Sequence, residues 1–224
     1  MLLVSVIIIS QLALASAKQV ASDTVGYQDT VQIVHKASTF VLHSHKIQWG
    51  SGSGQQSVTC ISKDANVVGR SDNFFELHNG YGLPKKPNGT PVECGSTIRL
   101  KHIATKTWLH SHLHQSPLSK NQEVSCFGND EVSDTGDNWK LICSGKYWKQ
   151  DSVFELVHVD TDHYLASDVK HTFNDHNCRG CPIIGQLETY AQNSPSGRTK
   201  FSLTFNDDPA GRKTIFLKWP LVSV

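Results

Sequence analysis

Two identical tetrapeptides carry the first candidate chemistry: Leu42-His43-Ser44-His45 and Leu109-His110-Ser111-His112. On an extended chain, residues two apart project from one face. Each imidazole pair would therefore share a face, with Leu42 and Leu109 turned the other way into a core. An H-x-H pair binds metal when a third ligand approaches. The spacing specifies no third ligand, so no metal and no cofactor is assigned. The pairs are read as a partner- or ligand-contacting surface, with a hairpin-fixing hydrogen-bond role as the alternative. Gln56, Gln122 and Trp49 are placed on the same surface. His35, His102 and His158 recur at strand ends, where a buried imidazole is expected to satisfy backbone groups.

The segment from His171 to Cys181 reads HTFNDHNCRGC. Together with His163 it holds enough His and Cys for a zinc site. Its C-x-x-C is also the spacing of a redox pair. Yet no helix or βαβ unit is expected here to present a redox pair, and the second half of a zinc motif is irregular. A structural Cys178–Cys181 disulfide is the third reading and the one adopted.

Other catalytic patterns are absent from the sequence. The run Gly50-Ser51-Gly52-Ser53-Gly54 lacks the Lys-Ser/Thr that a phosphate-binding loop needs, and reads as a mobile hairpin tip. No G-x-S-x-G elbow occurs. Carboxylates are scattered rather than paired. The protein is therefore expected to be non-enzymatic. A net charge of +1 gives no electrostatic drive toward nucleic acid or an acidic membrane surface. Residues 1–17 combine an apolar run with Ala15-Ser16-Ala17, the shape of a cleaved signal peptide, so a secretory protein is expected. Six cysteines suit an oxidising compartment. Asn88-Gly89-Thr90 is a glycosylation sequon, followed directly by Pro91.

The elements that must position these residues are legible from internal repetition. Val31-x-Ile33-x-His35 is matched by Ile98-x-Leu100-x-His102 and by Phe154-x-Leu156-x-His158. Gln56 to Cys60 matches Gln122 to Cys126, and Gly185-Gln186 is aligned with Asn121-Gln122. Tyr164-Leu165-Ala166-Ser167 takes the place of Trp108-Leu109-His110-Ser111, so the third copy lacks the histidine pair. Each copy continues into Phe75-x-Leu77, Trp139-x-Leu141 or Phe201-x-Leu203. Further closing strands are expected at Thr90–Cys94, Lys146–Trp148 and Thr214–Trp219.

The period-two alternation is that of half-buried strands, and no long helical stripe competes with it. One copy of about four strands cannot bury its apolar face, whereas three copies closed around an axis can, and closure removes exposed edges. The expectation is an all-β chain, a single β-trefoil over residues 24–220, with units near 25–90, 91–148 and 149–220. In that fold Cys94 and Cys143 lie on adjacent strands of the middle unit, within disulfide reach. Cys60 and Cys126 either meet near the axis or remain thiols.

The stretches LHSHKIQWGSGSGQQSVTC, GTPVECGSTIRLKH, LHSHLHQSPLSKNQEVSCFG and DNWKLICSGKYW resemble the stromal cell-derived factor 2 family. Its repeats, called MIR motifs, also occur in protein O-mannosyltransferases and in inositol trisphosphate and ryanodine receptors. The resemblance implies a protein of the endoplasmic reticulum lumen, partnered with Hsp40- and Hsp70-type chaperones and with misfolded or O-mannosylated clients. The family usually ends in a retrieval signal of the KDEL type. The residues Trp219 to Val224 contain none, which keeps a secreted, carbohydrate-binding trefoil as the alternative.

Overall fold

The computed structural model describes residues 23–63 and 71–205. The signal-peptide segment and the strand expected at Thr214–Trp219 lie outside them. The described residues form twelve strands and three 3-10 turns, in the same order in each unit. Unit one holds β1 (Thr30–His35), β2 (Val41–Gln48), β3 (Gln56–Ile61) and β4 (Phe75–Asn79). Unit two holds β5 (Thr97–His102), β6 (Trp108–Gln115), β7 (Gln122–Phe127) and β8 (Trp139–Cys143). Unit three holds β9 (Phe154–His158), β10 (His163–Thr172), β11 (Leu187–Gln192) and β12 (Phe201–Phe205).

Six strands close a barrel: β1 pairs β4 and β12, β5 pairs β4 and β8, and β9 pairs β8 and β12. The hairpins β2–β3, β6–β7 and β10–β11 form the cap. Within the cap β3, β7 and β11 each pair the other two, which makes a triangle about the axis. Barrel plus triangular hairpin cap is the β-trefoil. The apolar-x-apolar pairs of the sequence point inward: Ile33, Leu77, Ile98, Leu100, Trp139, Leu141, Leu156 and Leu203 are fully buried. Leu42, Leu109 and Leu165 cap this core, also with no exposed surface. Burying such a side chain contributes about 1.5–3 kcal/mol.

The opposite end of the barrel is tied by a ring of three backbone hydrogen bonds. Val25 N–H donates to Trp148 O, Trp148 N–H to Val92 O, and Val92 N–H to Val25 O, at 2.8–2.9 Å. The strands expected at Thr90–Cys94 and Lys146–Trp148 are reduced to this ring and to single bridges, Gly26 with Pro91 and Glu93 with Tyr147. The segments cross near the axis, so each pairs with its neighbours over a short stretch only. Cys94 and Cys143 are joined, with Cα atoms 5.2 Å apart.

The cap register also corrects one alignment. Gln56 faces Cys126 and Leu187 faces Cys60, so Leu187, not Gln186, holds the place of Gln122. Ala191, opposite Gln122, then stands where the other units carry cysteine. Cys60 and Cys126 remain buried thiols, each opposite a non-cysteine residue. Burial pushes their thiols up to about 11 and about 12, which leaves them protonated.

Candidate functional site

The threefold histidines are the hinge points between units. His35, His102 and His158 end their strands, and each is followed by a turn whose fourth position carries a left-handed residue: Thr39, Lys106 and Asp162. Nδ1 of each ring meets a hydroxyl three residues on, Ser38, Thr105 or Thr161, at 2.7–2.8 Å. Nε2 reaches a carbonyl in the 3-10 turn of another unit: Arg198 at 3.0 Å, Asp72 at 3.0 Å and Gly136 at 2.9 Å. Since a carbonyl only accepts, Nε2 carries the proton and Nδ1 accepts from the hydroxyl. Burial holds all three below the ordinary histidine value.

The paired histidines depart from expectation. A β-bulge follows Ser44 and Ser111, and turns the second histidine out of the ladder. The rings of each pair still meet, with centroids 4.8 Å apart in unit one and 5.2 Å in unit two. Their shared face looks onto the unit's own 3-10 turn rather than onto open solvent, and His43 and His110 are buried. In unit one His43 Nδ1 donates to Asn73 Oδ1 at 2.8 Å, and His45 Nδ1 then donates to His43 Nε2 at 2.7 Å. His45 Nε2 has no partner, and burial with the neighbouring His43 lowers its pKa to about 4.

In unit two a buried carboxylate replaces the amide. His110 Nδ1 donates to Asp137 Oδ1 at 2.9 Å. Asp137 Oδ2 accepts from Ser133 Oγ at 2.6 Å and Asp134 N–H at 3.0 Å, and Asp134 Oδ1 accepts from Gly136 N–H at 2.9 Å. His110, Asp134 and Asp137 would suit a metal by distance. Their oxygens are instead committed to capping the turn Thr135–Asp137. In unit three Ala166 takes the place of the first histidine, and an Arg198–Asp168 ion pair closes the space.

His112 shares its own unit's carboxylate with the Gly-rich tip of unit one. Its Nε2 donates to Glu123 Oε1 at 2.9 Å, and Glu123 is fully buried. Ser53 of the Gly-rich tip donates to the same carboxylate through its hydroxyl, and its N–H lies 3.3 Å from Oε2. The tip is therefore anchored, which corrects the expectation of a mobile one. A Cβ on Gly52, at φ +70°, would fall 2.0 Å from Glu123 Oε2. Glu188 does the same for the next hairpin, accepting from Leu118 and Ser119 N–H at 2.6 and 2.7 Å.

Three further residues leave the expected contact surface. Gln56 donates to Ser44 Oγ at 2.7 Å and Thr105 Oγ1 at 2.9 Å, while the side-chain amide of Gln122 meets Thr161 Oγ1 at 2.7 Å. Both amides are thus committed to joining one unit to the next. Trp49 is 5% exposed, donates to Val124 O at 3.0 Å, and packs with Phe173 and Ile183. It offers no open platform. Asn88 is exposed on a turn closed by Thr90 N–H donating to Pro87 O and tied to Tyr27 O by Gly89 N–H.

In the His171–Cys181 segment Cys178 and Cys181 are bonded to each other. That removes both thiolates from the zinc alternative. His163 Nδ1 lies 2.5 Å from Thr161 O, and His171 meets Tyr190 edge-on.

What remains open is a groove of about 430 Å³ in unit two. It runs between the hairpin residues His110 to Leu113, the turn Asp134–Gly136, and His158, Asp160 and Thr161 of unit three. Leu113, 80% exposed, forms an apolar lip. Thr135 Oγ1 donates to Asp160 Oδ2 at 2.7 Å across the groove. Imidazole, hydroxyl and carboxylate groups beside one aliphatic side chain suit a polar ligand or peptide. The bulge that aims His112 and Leu113 carries no signature in the sequence, so the groove's outline was not readable there.

Comparison with known proteins places these features. Residues 75–143 match the MIR domain. A stromal cell-derived factor 2-like protein of Arabidopsis thaliana is 49% identical over 160 residues, 70% of each chain. Human stromal cell-derived factor 2 is 37% identical over 166 residues, 74% of this chain and 73% of that one. The crystal structure of the Arabidopsis SDF2-like protein superposes with a TM-score of 0.73 at 40% identity, covering 81% of this chain and 94% of that one. The yeast protein O-mannosyltransferase Pmt1-Pmt2 complex bound to the sugar donor contains a similar fold, at TM-score 0.68 and 25% identity, over 83% of this chain and 26% of that one. With this identity over most of its length, the chain belongs to the stromal cell-derived factor 2 family.

Proposed function

We infer that this protein is a non-enzymatic binding and adaptor module of the secretory pathway. It acts in the endoplasmic reticulum lumen with Hsp40- and Hsp70-type chaperones, on glycoprotein or O-mannosylated clients. The observation that carries the reading is the groove of unit two, open between hairpin and turn where unit three is closed by an ion pair. Family membership supports the compartment, as do two disulfides, which persist in oxidising lumens. The junction imidazoles are engaged with carbonyls and those of unit two with carboxylates, which supports a binding role over a catalytic one. The exposed Asn88 sequon is a glycan acceptor in this reading, checked by an endoglycosidase mobility shift of the native protein.

The test is crosslinked purification of the native protein followed by mass spectrometry, repeated with L113E/D160K. Recovery of lumenal chaperones by the wild type, reduced at least about fivefold by the variant, supports the groove as the contact. Equal recovery by a folded variant moves the contact elsewhere. Recovery of no chaperone, with the protein in the medium, favours the second reading: a secreted carbohydrate-binding trefoil using the groove's hydroxyl and carboxylate groups for a polyol. A glycan array blank at millimolar sugar counts against that reading.

A further inference from the structure

The Cys178–Cys181 disulfide sits in an excursion that the adaptor reading leaves unused. It projects from the β10–β11 hairpin of unit three, where the pairing shifts between Ser167 and Thr172. The excursion closes without its sulfurs. Phe173 N–H donates to Gln186 O at 2.9 Å, and Gly185 N–H to Phe173 O at 2.8 Å. Inside that neck Cys178 N–H donates to Asn174 O at 2.8 Å, and Asn177 Nδ2 to Thr172 O at 2.9 Å. A bridge spanning a sequence separation of 3 restrains the unfolded chain least. Cys94–Cys143, at a separation of 49, restrains far more. The short bridge is thus poorly explained as a structural staple.

Its surroundings suit exchange instead. Both cysteines are only partly buried, and Arg179, exposed, lies between them in sequence with exposed His176 just before. A neighbouring guanidinium favours the thiolate that leaves when such a bond opens. The inner side rests on Trp49, Phe173 and Ile183, and Ile184 beside it is 44% exposed. The first three are buried and seat the bridge, and Ile184 gives the exposed apolar edge that suits an extended, unfolded segment of another chain.

We propose that Cys178–Cys181 is a thiol–disulfide exchange site for cysteine-bearing polypeptides. A substrate thiolate attacks one sulfur, the Cys178–Cys181 bond breaks, and the departing thiolate takes the proton that the substrate thiol released. The second substrate thiol then attacks the mixed disulfide, forming the substrate's own disulfide and freeing the second cysteine. Two electrons and two protons pass from the substrate dithiol to Cys178 and Cys181. Glutathione disulfide restores the bond by the reverse exchange.

The folded full chain would be equilibrated in glutathione buffers of graded poise, quenched in acid, alkylated and mapped by mass spectrometry. Cys178 and Cys181 should become alkylated at a poise that leaves Cys94–Cys143 closed, with an unchanged circular dichroism spectrum. The oxidised protein should also oxidise a reduced two-cysteine peptide at least about tenfold faster than C178S/C181S, a contrast expected where one accessible disulfide carries the exchange. Opening only together with Cys94–Cys143, or only on unfolding, would overturn the proposal. So would equal peptide oxidation by the two proteins. If the double variant fails to fold, R179E supplies the contrast. It leaves both sulfurs in place and should slow exchange about threefold by removing the neighbouring cation, and an unchanged rate would count against the site.

Discussion

At the residue scale, each threefold histidine binds its own turn through Nδ1 and another unit through Nε2. The pattern was visible as His35-x-x-Ser38, His102-x-x-Thr105 and His158-x-x-Thr161. Strand-end position and recurrence identified the role, but the accepting carbonyls lie far off in sequence and could not be named. His158→Ala leaves the Gly136 carbonyl and the Thr161 hydroxyl short of a partner in a buried site. The cost should be about 2–3 kcal/mol, read as a lowered urea midpoint at constant slope. pH dependence follows from the same burial. A base whose folded pKa lies below its unfolded value binds more protons when unfolded. Its stabilisation is therefore complete above about 6.5, the unfolded value, and is lost as pH falls toward the folded value, which is about 4 for His45. The melting temperature should fall between pH 7 and pH 5, and His45→Gln should flatten that slope. A flat wild-type profile would contradict the protonation assignments.

At the element scale, the barrel strands were legible and the cap hairpins only in part. Alternating apolar residues fixed β1, β5 and β9 and their partners β12, β4 and β8, because one face of each must be buried. The hairpins carry bulges after Ser44, Ser111 and Ser167, and a bulge shifts side chains without changing composition. That is why the histidine pairs were placed on an open face. It is also why Gln186 was aligned one residue early. The Gly-rich tip was read as loose because glycine and serine suggest freedom. Its glycines in fact permit close approach to a buried carboxylate. Gly52→Ala should cost about 1–3 kcal/mol, since it requires both a left-handed alanine and displacement of Glu123. Gly54→Ala has the same backbone strain but nothing within 4 Å of its new Cβ. Chemical denaturation of the two variants separates backbone strain from loss of the tether, and equal losses would remove the tether from the account.

At the whole-molecule scale, the units do not stand alone. Every barrel strand pairs with a strand of another unit or lies beside one that does, and the cap triangle takes one strand from each. The three histidines and the ring of Val25, Val92 and Trp148 add a tie at each junction. Threefold repetition in the sequence announced this closure, because a unit with an open apolar face has no other way to cover it. Stability should therefore be shared rather than summed over units. Tryptophan fluorescence reports on all five tryptophans, among them buried Trp49 in unit one, Trp139 in unit two and Trp148 at the axial ring, while far-UV circular dichroism reports on the strands as a whole. The two should give one coincident denaturant transition, as expected of a single cooperative domain. Truncation after Gln150 removes β9 to β12, and with them the partners of β1 and β8 and one side of the cap triangle. The remaining two units keep intact hairpins and most of their own core residues. They nonetheless expose two unpaired barrel edges and the apolar faces of Ile33 and Leu141. That fragment should show no cooperative transition. A fragment with a sharp transition and native-like fluorescence would mean that two units suffice, and that the third serves the groove and the Cys178–Cys181 excursion rather than the fold.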